Sequence, residues 1–227
     1  MKPSKSINFP AILAFSVHEM KNSLSTINDL IRHLTSQDQL NANKELGQLE
    51  FEANRMNNNL MQLLVLYKID AAKFTPSIDE CLAIDILNEV QAQQASLFAM
   101  NGVELTITCP DDLLCYCDSH LISNALSTVA NNSQRYARSK VLLSAAATAE
   151  GYVSFSVEDD GAGYPEHFLD PDSMNNTAVN LNTGSTGLGL FFVSTIAKMH
   201  VNGNKKGLIK LANHCPLGGA KFSLLLP

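Results

Sequence analysis

Two runs of apolar residues at an alternating four–three spacing constrain this 227-residue chain more than any other feature. In the first, Leu13, Val17, Met20, Leu24, Ile27, Ile31 and Leu34 follow one another at steps of four and three. A polar break, TSQDQLNAN (35–43), precedes the second, in which Leu46, Leu49, Ala53, Met56, Leu60, Leu63 and Tyr67 repeat the alternation. That spacing keeps one stripe of a helix against a neighbouring helix, whereas a strand would bury every second residue. The residues therefore predict a helix over about 9–36 and a second long helix, joined by a short loop into an antiparallel hairpin. Leu30, Leu64 and Leu66 lie off the two seams, so a single hairpin leaves apolar surface uncovered. Pairing two hairpins into a four-helix bundle covers it, which predicts a homodimer.

After KIDAAKFTPS (68–77) the pattern changes. Residues 84–100, 119–137 and 188–200 read as helices. VELTITC (103–109), KVLLSAAAT (140–148), YVSFSVED (152–159), GLIKLAN and AKFSLLL read as strands. Residues 160–186 are rich in Gly, Pro, Asn, Asp, Ser and Thr and read as one long loop, a length usually tied to function. The expected fold class is α+β, with a helical hairpin over 1–72 followed by an α/β sandwich over 73–227.

Composition excludes several classes. A formal net charge of −6 argues against nucleic-acid binding, which normally needs a basic face. The longest apolar run, MQLLVLY (61–67), is far shorter than a membrane span, and the first residues lack the apolar centre of a signal peptide. The reading is a cytoplasmic protein, or the cytoplasmic part of a membrane sensor, with no direct membrane contact. The five cysteines form no C-x-x-C pair and read as reduced, mostly buried thiols. A zinc site on Cys115 and Cys117 is the lesser reading.

Chemistry-bearing residues fall in four stretches. In FSVHEMKNSL (15–24), His18 lies one step off the first seam and faces solvent, with Glu19 beside it and Asn22 one turn along the same face. Asparagine at 22 rules out the H-E-x-x-H zinc signature. A carboxylate next to an imidazole fixes its tautomer and leaves the other ring nitrogen as a nucleophile. LSTVANNSQRYA (126–137) offers an amide for a divalent ion and Arg135 for a phosphate. VEDDGAGYP (157–165) ends a strand on Asp159 and Asp160 and continues through Gly161 and Gly163. STGLGL (185–190) opens a helix on Gly187, Leu188 and Gly189, where unshielded backbone amides suit an anion. Each stretch alone also fits a blander reading: an exposed helix residue, a polar helix end or an ordinary glycine turn.

In this order the stretches resemble the sensor histidine kinases of two-component signalling. HEMKNSL resembles their histidine box, VANNSQRYA the N box, DDGAGYP and STGLGL the two glycine boxes, and YKIDAAKFTP the junction before the ATP-binding domain. The resemblance spans about residues 10–227. It implies that His18 accepts the γ-phosphoryl group of ATP, with Glu19 as general base and Asn22 placing water for dephosphorylation of a partner. It implies Mg²⁺ on Asn132, with Arg135 and Tyr136 beside the nucleotide. Asp159 would bind the adenine amino group, Gly161 and Gly163 would admit the base, and Gly187, Leu188 and Gly189 would cradle phosphate. The partner implied is the receiver domain of a separate response regulator, since no receiver follows Pro227. No sensor precedes Phe9, so a separate or truncated sensor is expected. Ser23, Thr128 and Ala220 depart from the family's proline, asparagine and threonine, and Phe168 is the nearest candidate for its phenylalanine box. The rival readings are a histidine phosphotransfer protein with a relic ATP domain, and a chaperone or DNA-repair ATPase of the same superfamily.

Overall fold

The computed structural model describes residues 42–70, 74–169 and 188–227, together with single positions between 12 and 30. The chain divides into two compact units, Met1–Thr75 and Pro76–Pro227.

In the first unit the described positions between 12 and 30 are helical, and helix α1 runs from Ala42 to Asp70. Most of the helix expected over 9–36, and with it the antiparallel hairpin, lies outside the described residues. Leu66, Gln62 and Glu52 are buried along one side of α1, as are Ile12, Ser16 and Ser23 ahead of it. The Arg55 guanidinium donates to the buried Ser23 hydroxyl at 2.8 Å and pairs with Glu52 at 3.0 Å. By contrast, three residues of the second seam stay exposed: Ala53, Leu60 and Tyr67. The seam is thus a different stripe of α1 from the one this chain buries.

The second unit is a two-layer sandwich. Its elements are β1 (Asp79–Leu82), α2 (Ala83–Asn101), β2 (Glu104–Thr108), β3 (Leu114–Cys117), α3 (Ser119–Tyr136), β4 (Lys140–Ala147) and β5 (Val153–Asp159). They continue as α4 (Glu166–Leu169), α5 (Leu188–Met199), β6 (Val201–Asn202), β7 (Lys205–Lys206), β8 (Leu208–Asn213) and β9 (Ala220–Leu226). The main sheet has the order β2-β4-β5-β9-β8. Its β2–β4 pair is parallel and the other three are antiparallel. One face carries Val141, Leu143, Phe155, Val157, Phe222 and Leu224, all buried. The opposite face is more polar, with Ser156 and Ser223 sharing a hydroxyl bond and Lys221 paired with Glu158. Alternation at period two puts these sets on opposite sides.

Helices α2, α3 and α5 supply the second layer. They bury Ile86, Leu87, Val90 and Phe98; Leu121, Ile122, Leu126 and Val129; and Leu188, Phe192, Val193 and Ile196. Each such side chain contributes roughly 1.5–3 kcal/mol when fully buried. Local chemistry sets the helix ends. Asp118 caps α3, its Oδ1 accepting from Leu121 N–H at 3.1 Å, a bond worth about 1 kcal/mol. Gly102 ends α2 at φ 66°, a left-handed conformation that costs glycine little, and Val103 N–H closes the turn on Phe98 O. Two antiparallel ribbons, β1–β3 and β6–β7, complete the unit. Neither ribbon was among the sequence expectations. The stretch read as loop holds the short helix α4 in its described part.

Candidate functional site

The site is built where β5, α3 and the turn before β9 meet. Asp159 closes β5, 3% exposed. Its Oδ1 accepts from Gly161 N–H at 2.9 Å and Ala220 N–H at 3.1 Å. Its backbone carbonyl accepts from Gly219 N–H and from the Cys215 thiol. Oδ2 has no hydrogen-bond partner among the described residues. A carboxylate fixed through one oxygen, with the other unused, is a preorganised acceptor for a ligand amine or amide.

Glycines allow this crowding. A Cβ on Gly161 would sit 2.4 Å from the Tyr136 carbonyl oxygen, and one on Gly219 would sit 2.5 Å from both Asp159 O and Gly161 N. Neither space admits a side chain. Gly163 adopts φ 85°, and the next residue is locked by Asn213, which accepts from Tyr164 N–H at 2.6 Å and donates to Tyr164 O at 2.9 Å. Burial, and then the charge of Asp159, push the Tyr164 phenol above its ordinary value, so Tyr164 stays a neutral donor near that carboxylate.

The two acids of the Asp159–Asp160 pair do different work. Asp160 binds the turn after α3, accepting from Arg138 N–H, Ser139 N–H and the Ser139 hydroxyl. Its slight burial works the other way, but hydrogen bonds from Ser139 and neighbouring backbone amides hold its carboxyl well below the usual range. Asp160 thereby anchors the end of α3 against β5 and leaves Asp159 to face the site.

A second cluster joins α3 to the start of α5. Asn132 is exposed, one turn beyond Thr128, on the side of α3 that Gly189 approaches. A Cβ on Gly189 would lie 3.0 Å from Thr128 Cγ2 and 3.7 Å from Asn132 Nδ2. Leu188, the residue before Gly189, is buried. An amide side chain is thus held beside the first turn of α5, where backbone N–H groups lack helical acceptors. Arg135 and Tyr136 end α3, both exposed, the guanidinium carbon 5.9 Å from the Tyr136 ring centroid.

Of the residues expected from sequence, Asp159, Gly161 and Gly163 therefore come together, as do Asn132, Leu188 and Gly189. The Tyr136 carbonyl touches the first group. Glu19 and Asn22 occupy helical positions of the other unit, Asn22 exposed. His18 and Gly187 lie outside the described residues. Phe168 falls in α4. Gly219, Asn213, Tyr164 and Cys215 were not expected at the site. Only the Gly218-Gly219 dipeptide left a trace in the sequence, and it reads as a turn.

Comparison with known proteins gives this architecture a family. The profile of histidine kinase-, DNA gyrase B-, and HSP90-like ATPases matches residues 117–227. Sensor histidine kinase CpxA of Escherichia coli K12 is 29% identical over 189 residues, covering 81% of this chain and 40% of CpxA. Sensor-like histidine kinase SenX3 of Mycobacterium tuberculosis is 24% identical over 221 residues, covering 92% of this chain and 52% of SenX3. Histidine kinase AdeS of Acinetobacter baumannii superposes with a TM-score of 0.63 at 15% identity, covering 92% of this chain and 96% of the AdeS structure. The cytoplasmic segment of histidine kinase QseC gives 0.53 at 15% identity, over 75% of this chain and 94% of that segment. Residues 117–227 thus carry the ATPase domain shared by histidine kinases, DNA gyrase B and HSP90, and the chain as a whole is similar to sensor histidine kinases. It spans about half or less of the length of these curated relatives. No helix among the described residues is long and apolar enough to cross a membrane.

Proposed function

We propose that the chain is a histidine kinase core that phosphorylates His18 from Mg-ATP and passes the group to an aspartate on a separate response regulator. The observation that carries this reading is Asp159: a buried carboxylate held through one oxygen by two backbone amides, ringed by Gly161 and Gly219, with its second oxygen unused. That oxygen accepts the adenine amino group. Asn132, beside the first turn of α5, is a suitable oxygen ligand for Mg²⁺ against the phosphates, and the amides of Leu188 and Gly189 take phosphate oxygens. A divalent ion held by Asn132 would neutralise charge on the transferring group. The chain's own work is to position ATP, orient the imidazole of His18 through Glu19, and keep a ring nitrogen unprotonated for attack. Asn22, exposed and four residues after His18 in the sequence, places water for hydrolysis of the phosphorylated partner. The helical unit supports dimerisation through the exposed stripe of α1.

Asn132→Ala tests the nucleotide half of this reading. Its label incorporation from γ-labelled Mg-ATP is expected to fall at least 100-fold while the circular dichroism spectrum is unchanged. Labelling at the wild-type rate would refute the role of Asn132.

A further inference from the structure

The geometry points to a second ligand site, for a thiophilic divalent cation of the zinc type, on Cys81, Cys115 and Cys117. Among the described residues these are the only three metal-ligating side chains that converge. Cys81 lies in β1 opposite Cys115 in β3, and Cys117 is the next residue on the same face of β3. Their sulfurs are 3.4 Å (Cys81–Cys117), 3.5 Å (Cys81–Cys115) and 3.8 Å (Cys115–Cys117) apart. Three thiolates around a tetrahedral zinc ion with bonds of ~2.3 Å stand about 3.8 Å from one another. The ribbon therefore presents three corners of such a tetrahedron with only tenths of an ångström to adjust.

Three of the chain's five cysteines occupy this cluster, and β-ribbon packing alone gives no reason for that concentration. Cys115 and Cys117 are buried, while Cys81 is partly exposed. That leaves an entry path and a fourth position for water. The Cys81 and Cys115 thiols each reach the other's backbone carbonyl at 3.6 Å, contacts that hold the cluster together across the ribbon. Binding exchanges thiol protons for the cation: each sulfur that ligates does so as thiolate, and its proton goes to solvent.

Position gives the site a consequence. Asp118 directly follows Cys117. Its carboxylate accepts from Ser77 N–H at 3.0 Å and from Leu121 N–H, and its own N–H donates to His200 Nε2 at 3.1 Å. One residue thus ties the point where the chain enters the second unit to the start of α3 and the end of α5. An ion on the neighbouring ribbon stiffens that junction.

The test uses the full chain, kept reduced, stripped with chelator and titrated with Co²⁺ as a spectroscopic stand-in for Zn²⁺. The expected result is one equivalent bound, with thiolate-to-metal charge transfer and intense visible bands of tetrahedral cobalt, bleached by Zn²⁺. Cys81→Ser and Cys115→Ser should each weaken binding at least tenfold, whereas Cys109→Ser should not. Zn²⁺ should also protect Cys81, but not Cys109, from alkylation in the unaltered chain, a readout independent of any variant's folding. Absence of the charge-transfer band, affinity within twofold in Cys115→Ser, or alkylation of Cys81 at the same rate with and without Zn²⁺ would each overturn the proposal.

Discussion

Gly161 concentrates the logic of the nucleotide site in a single missing side chain. Its N–H binds Asp159 Oδ1 while its α-carbon lies against the Tyr136 carbonyl, so a methyl group would have to displace the end of α3. Gly161→Ala is expected to destabilise the protein by about 1–3 kcal/mol through overpacking and to weaken ATP binding at least tenfold. Thermal denaturation and calorimetry check the two effects, and wild-type affinity in a folded variant would contradict the placement of the base. At this scale the sequence was readable only where a residue type is itself diagnostic. Asp159 at the end of a strand followed by Gly161 and Gly163 could be singled out, because few structures need that order. Gly219 could not: its function depends on Asp159, sixty residues away along the chain, coming too close to leave room for a side chain. The division of labour between Asp159 and Asp160 was equally hidden, since it rests on which acid faces Ser139.

Among the elements, the end of α5 carries a pH-dependent contact. His200 is buried, its Nε2 accepting from Asp118 N–H and its Nδ1 donating to Ile196 O at 2.8 Å. The neutral Nδ1–H tautomer satisfies both bonds. Burial, partly offset by the Ile196 carbonyl and the charge of Asp118, holds this imidazole below its ordinary value. The unfolded chain therefore takes up the proton first as pH falls through about 6.5, and the folded chain only at lower pH. Stability is full above that range and declines as pH drops through it. The melting temperature of wild type should fall between pH 7 and pH 5 more steeply than that of His200→Gln; parallel slopes would show that this contact does not titrate. The helices and long strands of this unit were legible to within a residue or two, because capping and periodicity are local. Ribbons β1 and β3 were not. Each has four residues, DECL opens with two acids, and their strand character exists only in the pairing that brings three cysteines together.

At the scale of the whole molecule, α1 exposes Leu60 at 43% and Tyr67 at 46%, along the seam whose spacing first marked it as helical. Apolar residues repeated at helical spacing on an open face fit a second copy of the same helix. The chain is expected to sediment as a dimer at micromolar concentration, and Leu60→Glu with Tyr67→Glu to shift it to monomer. A monomeric wild type would refute the bundle. The spacing told which stripe is apolar; it could not tell that the chain's own packing uses another, through Leu66 and the Ser23–Arg55 bond. The central claim, that ATP bound at Asp159 serves phosphorylation of His18, joins the two units and is tested most directly by labelling. Full chain and His18→Ala are incubated with γ-labelled Mg-ATP, and the adduct is exposed to acid. The account predicts label on wild type alone, lost in acid as a phosphoramidate is. Acid-stable label, or equal label on His18→Ala, would contradict it.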